Sequence, residues 1–364
     1  MRSCYPTDNR SWLEISASAA ENNLSVIRRF AAGTPVYAVV KSNAYGHGLE
    51  LFAGIMDKAG VDGFCVDTCP EGLALREGGI GKPILVLGYS MPEEWGLAKE
   101  NNITVSISNL SALREICAAS GSPEFHLKVD TGMRRQGILP EEAEEALNIV
   151  KGGNGNITGM FTHFASAKDI NYPGFTDSQI AEFSKIAELF RASGFNIVRH
   201  ASATAGTLIS GKYRLDMVRA GIGLYGYYPS KELEIQLGDI GLIPAMKWKS
   251  RISEVKSAKK GDFVGYDLTE RLMEDSLLAV VPVGYWHGLP RDLSGIAELA
   301  VNGNKCKIIG RISMDMSVIK VPPGTKAGDE VVIMDDATVF GRLLGGSHYE
   351  VITRINPAIK RILV

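Results

Sequence analysis

A lysine that ends a buried strand is an amine that can do chemistry. Residues 38–48 read Ala-Val-Val-Lys-Ser-Asn-Ala-Tyr-Gly-His-Gly. A β-branched run stops at Lys41, and two glycines close the segment. A lysine desolvated there has its charged form disfavoured and becomes a nucleophile or a base. A second strand-like run, His126-Leu-Lys-Val-Asp-Thr-Gly-Met-Arg-Arg-Gln-Gly, ends in a turn that bears Lys128, Asp130 and Arg135. Others end on His163, His200 and Arg219. Cationic, basic and nucleophilic groups thus recur at strand ends.

The elements that must carry these groups are short apolar strands alternating with helices. Predicted strands lie at 36–40, 63–66, 84–87, 103–107, 125–129, 158–162, 196–199 and 217–219. Predicted helices include 18–31, 71–77, 111–119, 140–151 and 177–192, the last with Asp177 near its start and Gly194 after its end. This alternation predicts an α/β fold with an N-terminal (β/α)8 TIM-like barrel, in which strand ends converge on one face. An open doubly wound sheet is the competing arrangement. After about residue 240 the texture turns to β-runs separated by Gly, Asp and Pro, predicting a mostly-β C-terminal domain. The expected division is 1–240 and 241–364, with 11–15 pairing into the second part.

Length and composition narrow the function classes. With 364 residues the chain has room for two domains. A net charge of -2 with no long basic block argues against nucleic acid and anionic membranes as partners. Five scattered cysteines (Cys4, Cys65, Cys69, Cys117, Cys306) fit reduced thiols better than a disulfide framework or a metal site, so no metal is expected. No apolar run is long enough to span a membrane. A cytoplasmic chain is expected, free or as the cytoplasmic domain of a larger membrane protein.

The Lys41 segment resembles the pyridoxal-phosphate lysine motif of the alanine racemase family, and the further matches follow in order from about Ser11 to Tyr349. The resemblance implies pyridoxal 5'-phosphate held on Lys41, with Tyr45 and Tyr349 touching its phosphate. It implies that Lys128 is a lysine often carbamylated by carbon dioxide, and that Arg135 faces the cofactor's phenolic oxygen and the substrate carboxylate. His163 would hydrogen-bond towards the catalytic tyrosine and the cofactor. Thr204, Gly221 and Ile222 would serve the phosphate. Arg219 would face the pyridine nitrogen, oriented by His200. A guanidinium keeps its proton, so that nitrogen would stay unprotonated. Tyr266 matches the catalytic tyrosine, supplied across a head-to-tail homodimer. Met314 matches a substrate-carboxylate contact, and Tyr285, Arg291 and Arg311 lie in segments near the entrance.

The implied activity is interconversion of L- and D-alanine for peptidoglycan by two bases, Lys41 and Tyr266, on opposite faces. Serine racemase domains of vancomycin-resistance systems share the architecture. Departures at Ala203, Gly265, Trp286, His287 and Ser313 leave alanine and serine both open as substrates; Asp267 replaces a usual glycine, and so does Arg134, which leaves the conformation of its loop open. A non-catalytic pyridoxal-phosphate-binding protein and a decarboxylase of basic amino acids are the rivals of other classes. The first usually lacks a β domain, and the second's C-terminal aspartate–cysteine site is not found.

Overall fold

The computed structural model describes residues 10–364 apart from 170 and 172; Cys4 lies outside the described residues. The chain divides into two compact units. One contains Ser18–Ala44 and Phe52–Ile243. The other contains the chain up to Ala17, Tyr45–Leu51 and Pro244–Val364. Besides the chain after Ile243, the β-rich unit thus takes in Tyr45–Leu51 and the segment that holds 11–15.

In the first unit eight strands run parallel: β2 (Val36–Val39), β3 (Gly63–Val66), β4 (Ile84–Tyr89), β5 (Ile103–Ile107), β6 (Glu124–Lys128), β7 (Asn156–Phe161), β8 (Val198–His200) and β9 (Val218–Ala220). Their order is β8-β7-β6-β5-β4-β3-β2-β9, a nearly closed barrel. The strands are apolar because both faces are covered, one by interior side chains and one by helices. Val36, Ala38, Phe64, Cys65, Val86, Val105, Phe125 and Leu127 are fully buried. The seam between β8 and β9 is bridged by single bonds: Arg219 N donates to Ser202 O at 2.9 Å, and Asp216 N to Arg199 O at 3.0 Å. Arg199 and Asp216 add a side-chain ion pair at 2.9 Å.

The second unit is built on strand pairing across long sequence separations. β1 (Ser11–Ile15) lies antiparallel to β10 (Met246–Arg251) and parallel to β19 (Lys360–Leu363). Leu13, Ile15, Met246 and Trp248 bury its apolar face, and Trp248 Nε1 donates to Ser11 Oγ at 2.7 Å. β11 (Glu254–Ala258), β14 (Ser276–Val281), β15 (Glu298–Val301), β16 (Asn304–Ile309), β17 (Ser317–Val321) and β18 (Glu330–Met334) complete the nine-stranded sheet. A separate hairpin joins β12 (Phe263–Val264) to β13 (Glu270–Arg271). Between β10 and β11 the chain changes partners, because Ile252 N turns to Asp329 O and Ser253 N to Val280 O.

In the barrel, β4 passes β3 at very short range. A Cβ at Gly88 would stand 2.2 Å from Asp67 O. Gly88→Ala should therefore lower the unfolding free energy by about 1–3 kcal/mol, read from chemical denaturation midpoints at unchanged slope.

Candidate active site

The barrel gathers its polar groups at the C-terminal ends of its strands. Lys41 follows β2, Asp67 follows β3, Lys128 ends β6, His163 follows β7, His200 ends β8 and Arg219 lies in β9. Thr204 opens the helix Thr204–Ile209.

Lys41 starts an unusual turn. Ser42, Asn43, Ala44 and Tyr45 all have φ near +50°, a left-handed run of four residues that are not glycine. Each such residue costs roughly 1–2 kcal/mol. Within the barrel unit the turn is held by its backbone N–H groups. Ser42 N donates to Glu71 Oε1 at 2.6 Å, Asn43 N to the same oxygen at 3.4 Å, and Ala44 N to Val40 O at 2.8 Å. The turn leaves Lys41 half-buried rather than sealed in. Its Nζ donates to Asp67 Oδ1 at 2.8 Å. The expectation of an amine activated by burial is thus corrected: a carboxylate faces it.

Arg219 is 2% exposed. Its partners are neutral. One terminal nitrogen donates to Thr162 O and Ala201 O, each at 3.0 Å, and to His163 Nδ1 at 3.4 Å. The other donates to His200 Nδ1. Because arginine can only donate, the imidazole protons follow. His200 accepts at Nδ1, carries its proton on Nε2 and donates to His126 Nδ1 at 2.8 Å. Burial, with the Arg219 charge, pushes both His126 and His163 down to about 3 and His200 well below the usual histidine range. All three stay neutral near pH 7. Burial lowers Arg219 to about 10, so its charge persists there. The Phe161 ring stacks on His200 at 4.8 Å, with Arg219 and Lys128 over it at 5.3 and 5.4 Å. Cys65 adds no charge, since burial pushes its thiol up to about 12.

Lys128 donates to Gln136 Oε1 at 2.9 Å. Asp130 instead caps its own loop, accepting from Gly132 N, Arg134 N and Arg135 N at 2.8–3.0 Å. Burial raises the Asp130 carboxyl, but those backbone bonds prevail and hold it below the usual range. Arg134 adopts φ +55°, the region a glycine would take without strain. Thr204 Oγ1 accepts from Gly221 N at 3.1 Å and Gly223 N at 3.3 Å. Ile222 begins the short helix Ile222–Tyr225.

The remaining candidates lie in the β-rich unit, in two groups. Tyr45 and Tyr349 face each other with ring centroids 6.1 Å apart, and burial raises the Tyr349 phenol further, beside Tyr45. Tyr266 stands in the loop of the β12–β13 hairpin and is 65% exposed. Its neighbour Asp267 pairs with Arg311 at 2.8 Å and with Arg291 at 3.8 Å. Tyr285 N and Trp286 N donate to Ser313 O and Met314 O at 3.0 and 2.9 Å, which joins two further candidate segments. The sequence reading had not given roles to Asp67, Glu71, His126, Gln136 or Phe161. Asp67 carried the same sign as the others, an ionisable residue just past a strand end.

Three comparisons with known proteins agree. Family models for the alanine racemase N-terminal and C-terminal domains match residues 15–229 and 245–363. An alanine racemase of Leptospira interrogans is 34% identical, over 97% of this chain and 96% of that protein. One from Lactobacillus delbrueckii subsp. bulgaricus is 37% identical over 95% of each. Among solved structures, the alanine racemase of Clostridium difficile 630 superposes with a TM-score of 0.91 at 30% identity, covering 98% of this chain and 96% of that one. That of Bacillus anthracis with bound L-Ala-P gives 0.91 at 31%, covering 99% and 96%.

Burial, and then the charges of Arg135, Arg219 and Lys41, pull Lys128 from 10.5 down to about 8. Between those values the unfolded chain holds the proton and the folded chain does not. The unfolding free energy should therefore rise with pH across that window, by an amount on the order of 3 kcal/mol from this group. Urea titrations at a series of pH values should show the rise shrinking in Lys128→Met. An equal rise in both proteins would assign it elsewhere.

Proposed function

Because this chain belongs to the alanine racemase family, we propose that it interconverts L- and D-alanine with pyridoxal 5'-phosphate held at the C-terminal end of the barrel. The observation that carries this reading is Arg219: a buried guanidinium with neutral partners, on the strand that pairs with the one leading to Lys41. A cationic donor of that kind suits an unprotonated pyridine nitrogen. The residues fit the cofactor. Lys41 would hold it covalently, Tyr45 and Tyr349 with Thr204, Gly221 and Ile222 would serve its phosphate, and Arg135 its phenolic oxygen. When bound, it would draw electrons from the substrate's α-carbon.

The chain's own groups then divide the proton work. Lys41 Nζ takes or returns the α-proton on one face of the substrate. Tyr266 Oη does the same on the other. Arg219 stays charged and donating throughout, because its imidazole partners stay neutral. Arg135 and Met314 would hold the substrate carboxylate. Lys128, as a neutral amine above about pH 8, has the free lone pair that addition of carbon dioxide needs. The nitrogen bonds the carbon, one proton leaves to solvent, and an anionic carbamate results. Tyr266 is exposed on its own unit, which suits delivery to a second copy in a head-to-tail homodimer.

Purified protein supplied with the cofactor should convert L-alanine to D-alanine in a chiral chromatographic assay. L-serine, tested separately, decides the breadth of the substrate. Comparable D-serine would move the reading to the serine racemases, and neither product would overturn it. Tyr266→Phe should slow L-to-D turnover by about 100-fold or more while the cofactor stays bound. Lys41→Ala and Tyr266→Phe, each inactive alone, should regain activity when mixed, since one site of a mixed dimer has both bases. No recovery would contradict the shared site.

A further inference from the structure

We propose that Asp67 is a positioning residue for Lys41: its carboxylate anchors the free amine at the barrel mouth, so that capture of an aldehyde by Lys41 must first break this ion pair. The register of the barrel brings the two together. In the parallel pair β2–β3, Val39 stands opposite Cys65, and Val40 N donates to Cys65 O at 2.9 Å. Lys41 and Asp67 each lie two residues further on, at matched positions just past the ladder. Lys41 Nζ reaches Asp67 Oδ1 at 2.8 Å.

Asp67 is fixed in that place by its backbone. Its N–H donates to Glu71 Oε2 at 2.9 Å, and its carbonyl accepts from Gly88 N at 3.1 Å. The same Glu71 carboxylate holds Ser42 N, at the start of the left-handed turn. One acidic side chain therefore ties the residue after Lys41 to the residue that binds its amine. The pair has side-chain exposures of 36% and 45%, so solvent screens it and the effect is modest.

The consequence is chemical. An ammonium has no lone pair. To capture an aldehyde, Lys41 must first release one proton to solvent. The nitrogen then bonds the carbonyl carbon, and the carbonyl oxygen leaves as water with the two remaining amine protons, giving a C=N bond. Asp67 must let the amine go before that bond can form, and returns it to one place whenever it is set free. This deepens the proposed function, since it rests on Lys41 being the reactive amine.

The test compares the wild-type chain, freed of cofactor, with Asp67→Asn. Limited acetylation by acetic anhydride, read by peptide mass spectrometry, reports the neutral amine without any cofactor. Lys82, paired with Asp57 at 3.0 Å, is the internal standard. Lys41 of Asp67→Asn should acetylate about threefold faster than wild type near neutral pH. Capture of added pyridoxal phosphate, trapped on Lys41 by borohydride, should quicken by a similar factor. Equal acetylation of the two proteins would overturn the proposal. Faster acetylation with no cofactor trapped on Lys41 in either protein would uphold the ion pair and sink the cofactor reading instead. Asp67→Ser serves the same comparison if circular dichroism shows Asp67→Asn misfolded.

Discussion

A positive charge sealed inside a β-barrel constrains everything around it. Arg219 has almost no contact with solvent, and a charge in that position is costly unless each of its N–H groups finds an acceptor. The acceptors come from the ends of neighbouring strands: carbonyls of Thr162 and Ala201, and imidazole nitrogens of His163 and His200. Two of those bonds, to Ala201 O and His200 Nδ1, cross the seam where β8 and β9 do not form a regular ladder. The guanidinium thus stands in for part of the missing strand pairing while its own charge stays without a carboxylate. The imidazoles must remain neutral to accept, and Arg219 itself helps keep them so. His126, one step further back, completes a chain of donors that runs in one direction only.

The same economy of positive charge explains the surroundings. Lys128 lies among cations, and its depressed proton affinity is the response. Asp130, which could have neutralised it, is committed to three backbone N–H groups of its own loop. On the other side of the barrel end, strain replaces charge as the constraint. Four residues in left-handed conformation follow Lys41, and the bonds from Glu71 and Val40 hold that turn. A turn of this kind fixes where the lysine side chain starts, which a relaxed loop would not do.

Much of this was legible in the sequence because strand ends are legible. Short buried β-runs stand out from the helical stretches between them, and a lysine, histidine or arginine that terminates one must sit at the rim. That logic placed Lys41, Lys128, His163, His200 and Arg219 at one end of a barrel. What it could not supply was the partner of each group. Asp67 meets Lys41 through a strand register, and Glu71 meets Ser42 across 29 residues; neither contact has a local pattern. The left-handed turn was hidden because Ser42, Asn43 and Ala44 carry no glycine to announce it. The domain division was hidden for a related reason. Tyr45–Leu51 belongs to the β-rich unit although it sits within the barrel sequence. At Arg134, where the family usually has glycine, the sequence left the loop conformation open, and the arginine takes the left-handed one.

Under the proposed function, Arg219 remains a charged donor facing a cofactor nitrogen that carries no proton. Nitrogen NMR of the protein loaded with pyridoxal phosphate labelled at the ring nitrogen tests it directly. The expected result is the shift of an unprotonated pyridine nitrogen that accepts a hydrogen bond, unchanged across neutral pH and altered in Arg219→Glu. A protonated ring nitrogen in the wild-type protein would contradict it.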